Sequence, residues 1–305
     1  VPGQIEGLPV MAVGGWTFTR SDTLLSVKLP DTVNRIGVEA FSYCRNLEEV
    51  VLGSGVTRLE SYAFFGCSSL VTLELPEGLT QIGSNAFGGC LNLVHMALPP
   101  GLTRLEYGVF YGCSRLESVE MPPGLTFIGK EAFSRCYNLA SIEIGSAVES
   151  VDSSAFTYCT SLTDFDVASD NPHYSSREGS LCNWEGTLLL ICPAGKKGVY
   201  TLPEGIVSFL ESTFQGCIHL TGFSVDENHP LFSSRDGILY NRAGDTLIVF
   251  PAGRTGQCVI PEGTTTLKAY SFSDSSLLGL ILPVGLTRIE DRAFWYCSSL
   301  TGIGF

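Results

Sequence analysis

Leu70 to Cys90 reads LVTLELPEGLTQIGSNAFGGC, and the division of this stretch decides the fold. Leu73-Glu74-Leu75 alternates apolar and polar residues, the period of a half-buried strand. Pro76 has no N–H to give to a ladder and ends the strand. Glu77-Gly78 makes a turn, and Leu79, Thr80 and Ile82 form a second short extended piece. Ala86, Phe87, Cys90 and then Leu93 follow at offsets of 1, 4 and 7, a spacing that predicts a helix of about two turns. So short a helix does not hold by itself. Phe87 must therefore be pinned between equivalents above and below.

Those equivalents are present. Phe18, Phe41, Phe64, Phe87, Phe110, Phe133 and Phe156 stand 23 residues apart, and Cys44, Cys67, Cys90, Cys113, Cys136 and Cys159 keep the same beat three places later. A repeat of this length marks a leucine-rich-repeat solenoid. The template recurs as Leu47-x-x-Val50-x-Leu52, Leu116-x-x-Val119-x-Met121 and Leu139-x-x-Ile142-x-Ile144. No coil buries its apolar face alone, so stability is a sum over neighbouring interfaces. The expected fold class is α/β: a right-handed solenoid with a parallel β-sheet on one face, short helical segments opposite and two β-hairpin inserts. Roughly a dozen coils, each about 4.8 Å from the next, give a sheet about 60 Å long.

The expected organisation is a single solenoid over 1–305. Residues 1–162 hold regular repeats, 163–272 hold repeats with two 35-residue inserts, and 273–305 hold terminal repeats. The inserts explain why Phe214 and Phe272 each follow the preceding repeat phenylalanine by 58 residues. They resemble each other: Pro172-His173-Tyr174-Ser175-Ser176 aligns with Pro230-Leu231-Phe232-Ser233-Ser234, and each ends in Pro-Ala-Gly. Gly179 to Leu188 and Gly237 to Leu247 each read as two strands around a polar turn, hence a hairpin. The chain opens on Val1-Pro2 and stops at Ile303-Gly304-Phe305, inside repeat strands, and so reads as a piece of a longer protein.

The net charge of −13 argues against nucleic acid or an anionic lipid surface as main partner. No run of 18 apolar residues is present, so no membrane insertion is expected in this stretch. Eight of the eleven cysteines hold one repeat position, where side chains point the same way, whereas a disulfide needs Cβ vectors that face each other. The column reads as buried thiols acting as small apolar residues.

The pattern N-L-x-x-V-x-L-P-x-x-V-T-x-I-G-x-x-A-F-x-x-C, with the N-P-x-x-S-S-x-x-G-x-L-x-N…P-A-G insert, resembles the BspA-like leucine-rich repeats. The resemblance runs from Ile5-Glu6-Gly7-Leu8-Pro9-Val10 to Phe305 and departs at Ser21 and near Asp274, where the repeat cysteine is missing. It implies a bacterial surface or secreted protein, extracellular or at the cell surface. It implies no catalytic residues and a role in adhesion to host matrix proteins or to other cells.

The residues themselves offer little chemistry. His95, His173, His219 and His229 are far apart and show no metal-ligand spacing, so they read as ordinary surface or strand histidines. Cys182 and Cys192 flank a hairpin, but the sister insert has Tyr240 and Phe250 there, which favours core packing. No catalytic, cofactor-binding or metal site is expected, and the chain reads as no enzyme. The outward strand positions are more informative, because side chains alternate along a strand. They are Ser26 and Lys28, Glu49 and Val51, Thr72 and Glu74, His95 and Ala97, Ser118 and Glu120, Ser141 and Glu143, Asp164 and Asp166. Glu49, Glu74, His95, Glu120, Glu143, Asp164 and Asp166 are the candidate protein-binding face, suited to a partner with a basic patch. A second column, Arg35, Arg58, Arg104 and Arg288, stands two residues before Glu60, Glu106 and Glu290 in three of its four places and reads as neighbour pairing. Trp16, Trp184 and Trp295 are scattered, and a carbohydrate-recognition or cell-wall-attachment module is the alternative, as is an accessory region of a larger enzyme.

Overall fold

The computed structural model describes residues 1–305, the side chain of Ile5 excepted. The chain forms two compact units, Val1–Ser175 and Ser176–Phe305.

In the first unit, successive coils lie over one another in the 23-residue register that the repeat demands. Ser26–Lys28 pairs in parallel with Glu49–Val51, His95–Ala97 with Ser118–Glu120, and Ser141–Ile144 with Asp164–Val167. The second extended pieces make their own parallel ladders. Ala12–Val13, Arg35–Ile36, Arg58–Leu59 and Gln81–Ile82 form one, and Arg104–Leu105, Phe127–Ile128 and Ser150–Val151 another. The expected strand at Leu73-Glu74-Leu75 is not formed. The segment keeps the alternation, with Leu73 buried and Glu74 exposed, but joins no ladder. A three-residue stretch closed by Pro76 offers only one or two bonds, so a slight drift removes them.

The expected helices are also absent: the described residues contain none, and the α/β assignment is corrected to stacked parallel strands and turns. The arc around Phe64 shows the reason. The N–H groups of Tyr62, Phe64 and Gly66 donate to the carbonyls of Ser84, Ala86 and Gly88 in the next coil, at 2.9, 2.8 and 2.7 Å. The intervening N–H groups of Ala63, Phe65 and Cys67 close tight turns onto Glu60, Tyr62 and Phe64. Tyr62 and Gly66 have φ of 60° and 71°, and the same offsets recur as Glu39 and Tyr43, Asn85 and Gly89, and Glu131 and Arg135. A left-handed residue at every fourth place breaks a helix. A helix is also about 10 Å across, which does not fit coils held at a strand spacing of about 4.8 Å. The turn arc fits, and every second N–H bonds the neighbouring coil.

The arc carries the core. Phe18 to Phe156 stack face to face, with ring centroids 5.1 to 5.9 Å apart and ring planes within 13°. Phe165 closes the file edge-on at 5.2 Å from Phe156. Beside it runs the buried cysteine file, which does more than fill space. Each thiol lies within hydrogen-bonding distance of the carbonyl of the phenylalanine 26 residues earlier: Cys67 to Phe41, Cys90 to Phe64, Cys113 to Phe87, Cys136 to Phe110 and Cys159 to Phe133, all at 3.1 to 3.2 Å.

The second unit contains the hairpins. Ser180–Asn183 pairs antiparallel with Leu188–Ile191, and Ile238–Asn241 with Thr246–Val249. Both inserts hold more strand than expected. In the second, Phe232–Arg235, read only as part of the aligned motif, is a third antiparallel strand paired with Ile238–Asn241, and Tyr174–Arg177 is a strand at the matching place of the first. The last strand of each insert then joins the parallel ladder of the coils: Leu188–Ile191 with Ser208–Phe209, and Thr246–Val249 with Thr266–Leu267. Phe250, Phe272 and Phe294 restore a ring stack, at 4.9 and 5.1 Å.

One histidine is a structural anchor. His229 is buried, not a surface or strand residue; Nδ1 accepts from the N–H of Leu231 and Phe232, and Nε2 faces the Ile206 carbonyl at 3.1 Å. Asn171, at the same place in the first motif, does this with its amide: Oδ1 accepts from His173 and Tyr174, and Nδ2 donates to Gly145 and Val148.

Phe110 stacks on Phe87 and Phe133 at 5.6 and 5.4 Å. Phe110→Ala is expected to cost about 3–5 kcal/mol in urea unfolding; a loss below about 1 kcal/mol would mean that the stack is not a core. His229→Ala strands the buried N–H of Phe232 and the part-buried N–H of Leu231 and is expected to lose about 1–3 kcal/mol. His229→Asn, copying Asn171, should recover most of that; equal losses for the two variants would refute the anchoring role.

Candidate functional site

The alternation along the short strands places all seven candidate residues on one side of the first unit. Glu49, Glu74, His95, Glu120, Glu143, Asp164 and Asp166 are exposed, while Val50, Leu73, Met96, Ile142 and Phe165 between them are buried. Register sets who stands beside whom: Glu143 is opposite Asp166, Ser141 opposite Asp164, and His95 opposite Ser118. His95 is tied down on two sides. Its Nδ1 is 2.8 Å from Ser118 Oγ and its Nε2 is 3.4 Å from Glu120 Oε1. The carboxylates are densest from Glu120 to Asp166, where the pairing of Glu143 with Asp166 holds like charges about 5 Å apart in backbone spacing. Lys28 is the lysine on this row, at the far end of it.

The arginine column is paired as its spacing implies. Arg58 and Arg35 reach Glu60 at 3.8 and 4.0 Å, Arg104 reaches Glu106 at 3.0 Å, and in the second unit Arg288 and Lys268 both reach Glu290 at 3.4 Å. Arg104 also lies 3.9 Å above the Phe127 ring, the residue that replaces arginine in the next coil. These pairs are solvated and contribute about 0–1 kcal/mol each.

A third row was not read from the sequence. It consists of left-handed positions two before and two after the repeat phenylalanines, most of them turned outward by the arc, with Asn85 buried. In the first unit it includes tyrosines and arginines: Arg20 lies 5.7 Å from the Tyr43 ring and Arg135 lies 5.2 Å from that of Tyr158. In the second unit, Arg292 donates to the Tyr270 hydroxyl at 2.6 Å and lies 5.0 Å from the Trp295 ring. The signal was a fixed offset from phenylalanine, masked by the helical reading. Among the described residues, no three His, Cys, Asp or Glu side chains gather as a metal site.

A family model for the BspA type leucine rich repeat region matches residues 9–117, 80–178 and 250–305, in six copies. The chain belongs to the BspA-type leucine-rich repeat family. Among solved structures, it is similar to a leucine rich cell surface protein of Faecalibacterium prausnitzii, with 23% identity over 100% of this chain and 86% of that one and a TM-score of 0.73. It is also similar to a leucine-rich repeat protein of Eubacterium ventriosum, with 18% identity over 95% and 74% of the two chains and a TM-score of 0.50. No curated protein matches it. At these identities the solved structures establish the solenoid fold.

In this BspA-type solenoid the thiols are placed for packing. All eleven cysteines are free, with nine buried and Cys258 and Cys297 half-buried. Cys182 and Cys192 lie in the core of the second unit, as Tyr240 and Phe250 do in the sister insert. Burial pushes the Cys113 and Cys159 thiols up to about 12 and the Cys182 thiol to about 11. It also holds Cys67, Cys90 and Cys136 well above the ordinary thiol value. A thiol nucleophile needs the opposite shift. A folded value raised above the unfolded one adds stability in full below the unfolded value of about 8.5, and that stability is lost as the pH rises toward 12. The urea midpoint is therefore expected to fall steadily from about pH 9 upward. Ellman's reagent at pH 8 should react rapidly with no more than Cys258 and Cys297 until denaturant exposes the rest; rapid labelling of the native column would contradict this placement.

Proposed function

We propose that the chain is a non-catalytic protein-binding scaffold, displayed at a bacterial cell surface or secreted, that acts as an adhesin-like module. The observation that carries the reading is the exposed acidic row Glu49, Glu74, Glu120, Glu143, Asp164 and Asp166, set at strand spacing on one side of the first unit. A solenoid presents such a face as an extended binding surface. Stacked like charges repel one another, and a partner with a basic patch relieves that repulsion. That the similar Faecalibacterium prausnitzii protein is a cell surface protein supports the location. The partner is a host matrix protein or another cell-surface protein with a basic patch.

A carbohydrate-recognition reading draws on one cluster, Tyr270, Arg292, Trp295 and Tyr296, in which Trp295 and Tyr296 are exposed. A screen against matrix proteins and glycans separates the two readings. For a protein ligand so found, the combined variant Glu74→Ala, Glu120→Ala, Glu143→Ala and Asp166→Ala is expected to weaken binding about fourfold or more, at about 0.2–1 kcal/mol for each exposed charge. The wild-type affinity should fall as salt is raised. These side chains are exposed, so the melting temperature should hold; unchanged affinity in the variant would discard the acidic face.

A further inference from the structure

The second insert leaves a slot in the second unit. Eleven residues separate Leu247 from Cys258, whereas fourteen separate Ile289 from the equivalent Ile303 two coils on. The coil of Phe250, like the Cys192 coil of the first insert with its eleven residues from Leu189 to Tyr200, thus cuts the corner that the regular coils round with a full turn arc. The arcs of Phe214 and Phe272 are left with no complete arc between them. The cavity has a volume of about 280 Å³. Phe214, Phe250, Leu220, Phe223 and Val249 line its apolar part, and Glu211, Lys268, Tyr270 and Glu290 its polar part.

Three local details follow from the missing arc. Phe214 is half-buried and meets Tyr200, Phe209 and Phe223 edge-on, whereas Phe41 to Phe156 are fully enclosed in their stack. Among the described backbone bonds, the Phe214 N–H finds no carbonyl of the kind that Phe64 finds in Ala86. The Gly216 N–H, which would also meet the next arc, is instead capped by Asp274 Oδ2 at 3.1 Å, from the coil beyond.

The deciding observation is Ser271, one of the lining residues. It is 1% exposed, and its Oγ has no hydrogen-bond partner. Its counterpart Thr213 donates to the carbonyls of Leu189 and Leu190 at 3.0 and 3.2 Å and accepts from the Leu210 N–H at 2.9 Å. At Ser271 the corresponding N–H, that of Lys268, bonds the Leu247 carbonyl directly and bypasses the hydroxyl. Other coils place alanine or valine at this position, as Ala63, Ala86, Val109 and Ala132. A buried hydroxyl without a partner costs free energy that a plain methyl side chain would avoid.

We infer that this slot is a binding site for a small, uncharged aromatic molecule carrying one carbonyl-type acceptor. The apolar lining takes a ring. A dry apolar cavity of about 150 Å³ already holds a benzene, so the larger volume leaves room for a substituent. The acceptor satisfies Ser271 Oγ. The charge of Lys268 is already met by Glu290 at 3.4 Å, which favours a neutral ligand over a carboxylate.

The test titrates the full chain with acetophenone and with ethylbenzene, a near-isostere that lacks the carbonyl, by saturation-transfer NMR. Saturable binding of acetophenone, tighter than that of ethylbenzene, is expected. Ser271→Ala should weaken acetophenone about three- to tenfold, the range of one net hydrogen bond, and leave ethylbenzene within twofold. Leu210→Trp, at an exposed residue on the slot's edge, should block both probes at an unchanged melting temperature. Absence of saturable binding, or binding that persists in Leu210→Trp, overturns the site. An acetophenone affinity that Ser271→Ala does not alter overturns the assignment of the hydroxyl.

Discussion

Everything in this molecule follows from the coil-to-coil hydrogen bond. The N–H of Phe64 donates to Ala86 in the next coil, and that of Phe87 donates to Val109. Such bonds hold backbone to backbone at strand spacing, on the arc as well as on the sheet side. Once that spacing is set, a residue type repeated every 23 positions becomes a file in contact with itself. Phenylalanine stacks on phenylalanine at little more than 5 Å, and each cysteine of the file from Cys44 to Cys159 comes close enough to donate to the carbonyl of a phenylalanine in the preceding coil. Any element thicker than one backbone layer is excluded, which is why the arc is a run of tight turns.

The same constraint governs what happens when the repeat is altered. An insert can leave the stack as an antiparallel ribbon and return as a parallel strand without disturbing the ladder, as Thr246–Val249 does on rejoining Thr266–Leu267. On the arc side the spacing is less forgiving. A shortened coil leaves N–H groups and ring faces with nothing opposite, and the neighbouring coils answer with the Asp274 cap, a half-open Phe214 and an unpartnered Ser271. The outward strand side places no such demand on its side chains. Charges gather there because nothing in the packing opposes them.

Much of this was legible in the order of residues. The files of Phe41 and Cys44, the inward and outward alternation around Val50 and Ile142, the Arg104–Glu106 pairing and the core role of Cys182 all rest on register, and register is a property of the repeat. What misled was the offset pattern of Ala86, Phe87, Cys90 and Leu93. A helix and a chain of overlapping turns both bring these side chains to one side, so periodicity alone does not separate them. The buried role of His229 was hidden for a related reason. Its two acceptor bonds depend on where the N–H groups of Leu231 and Phe232 point, and that direction depends on loop geometry.

By itself, then, the amino-acid order determined the repeat, its stacking register, the buried files and the acidic outward row, because a period of 23 residues carried through many coils admits few other ways to bury so many apolar side chains. Only the tertiary structure decided how each coil turns its corner, which third strand joins the second insert, and where an arc falls short. Those outcomes depend on whether a given N–H finds its acceptor in its own coil or in the next, and the two choices differ by a rotation of single backbone angles that no spacing of side chains reveals.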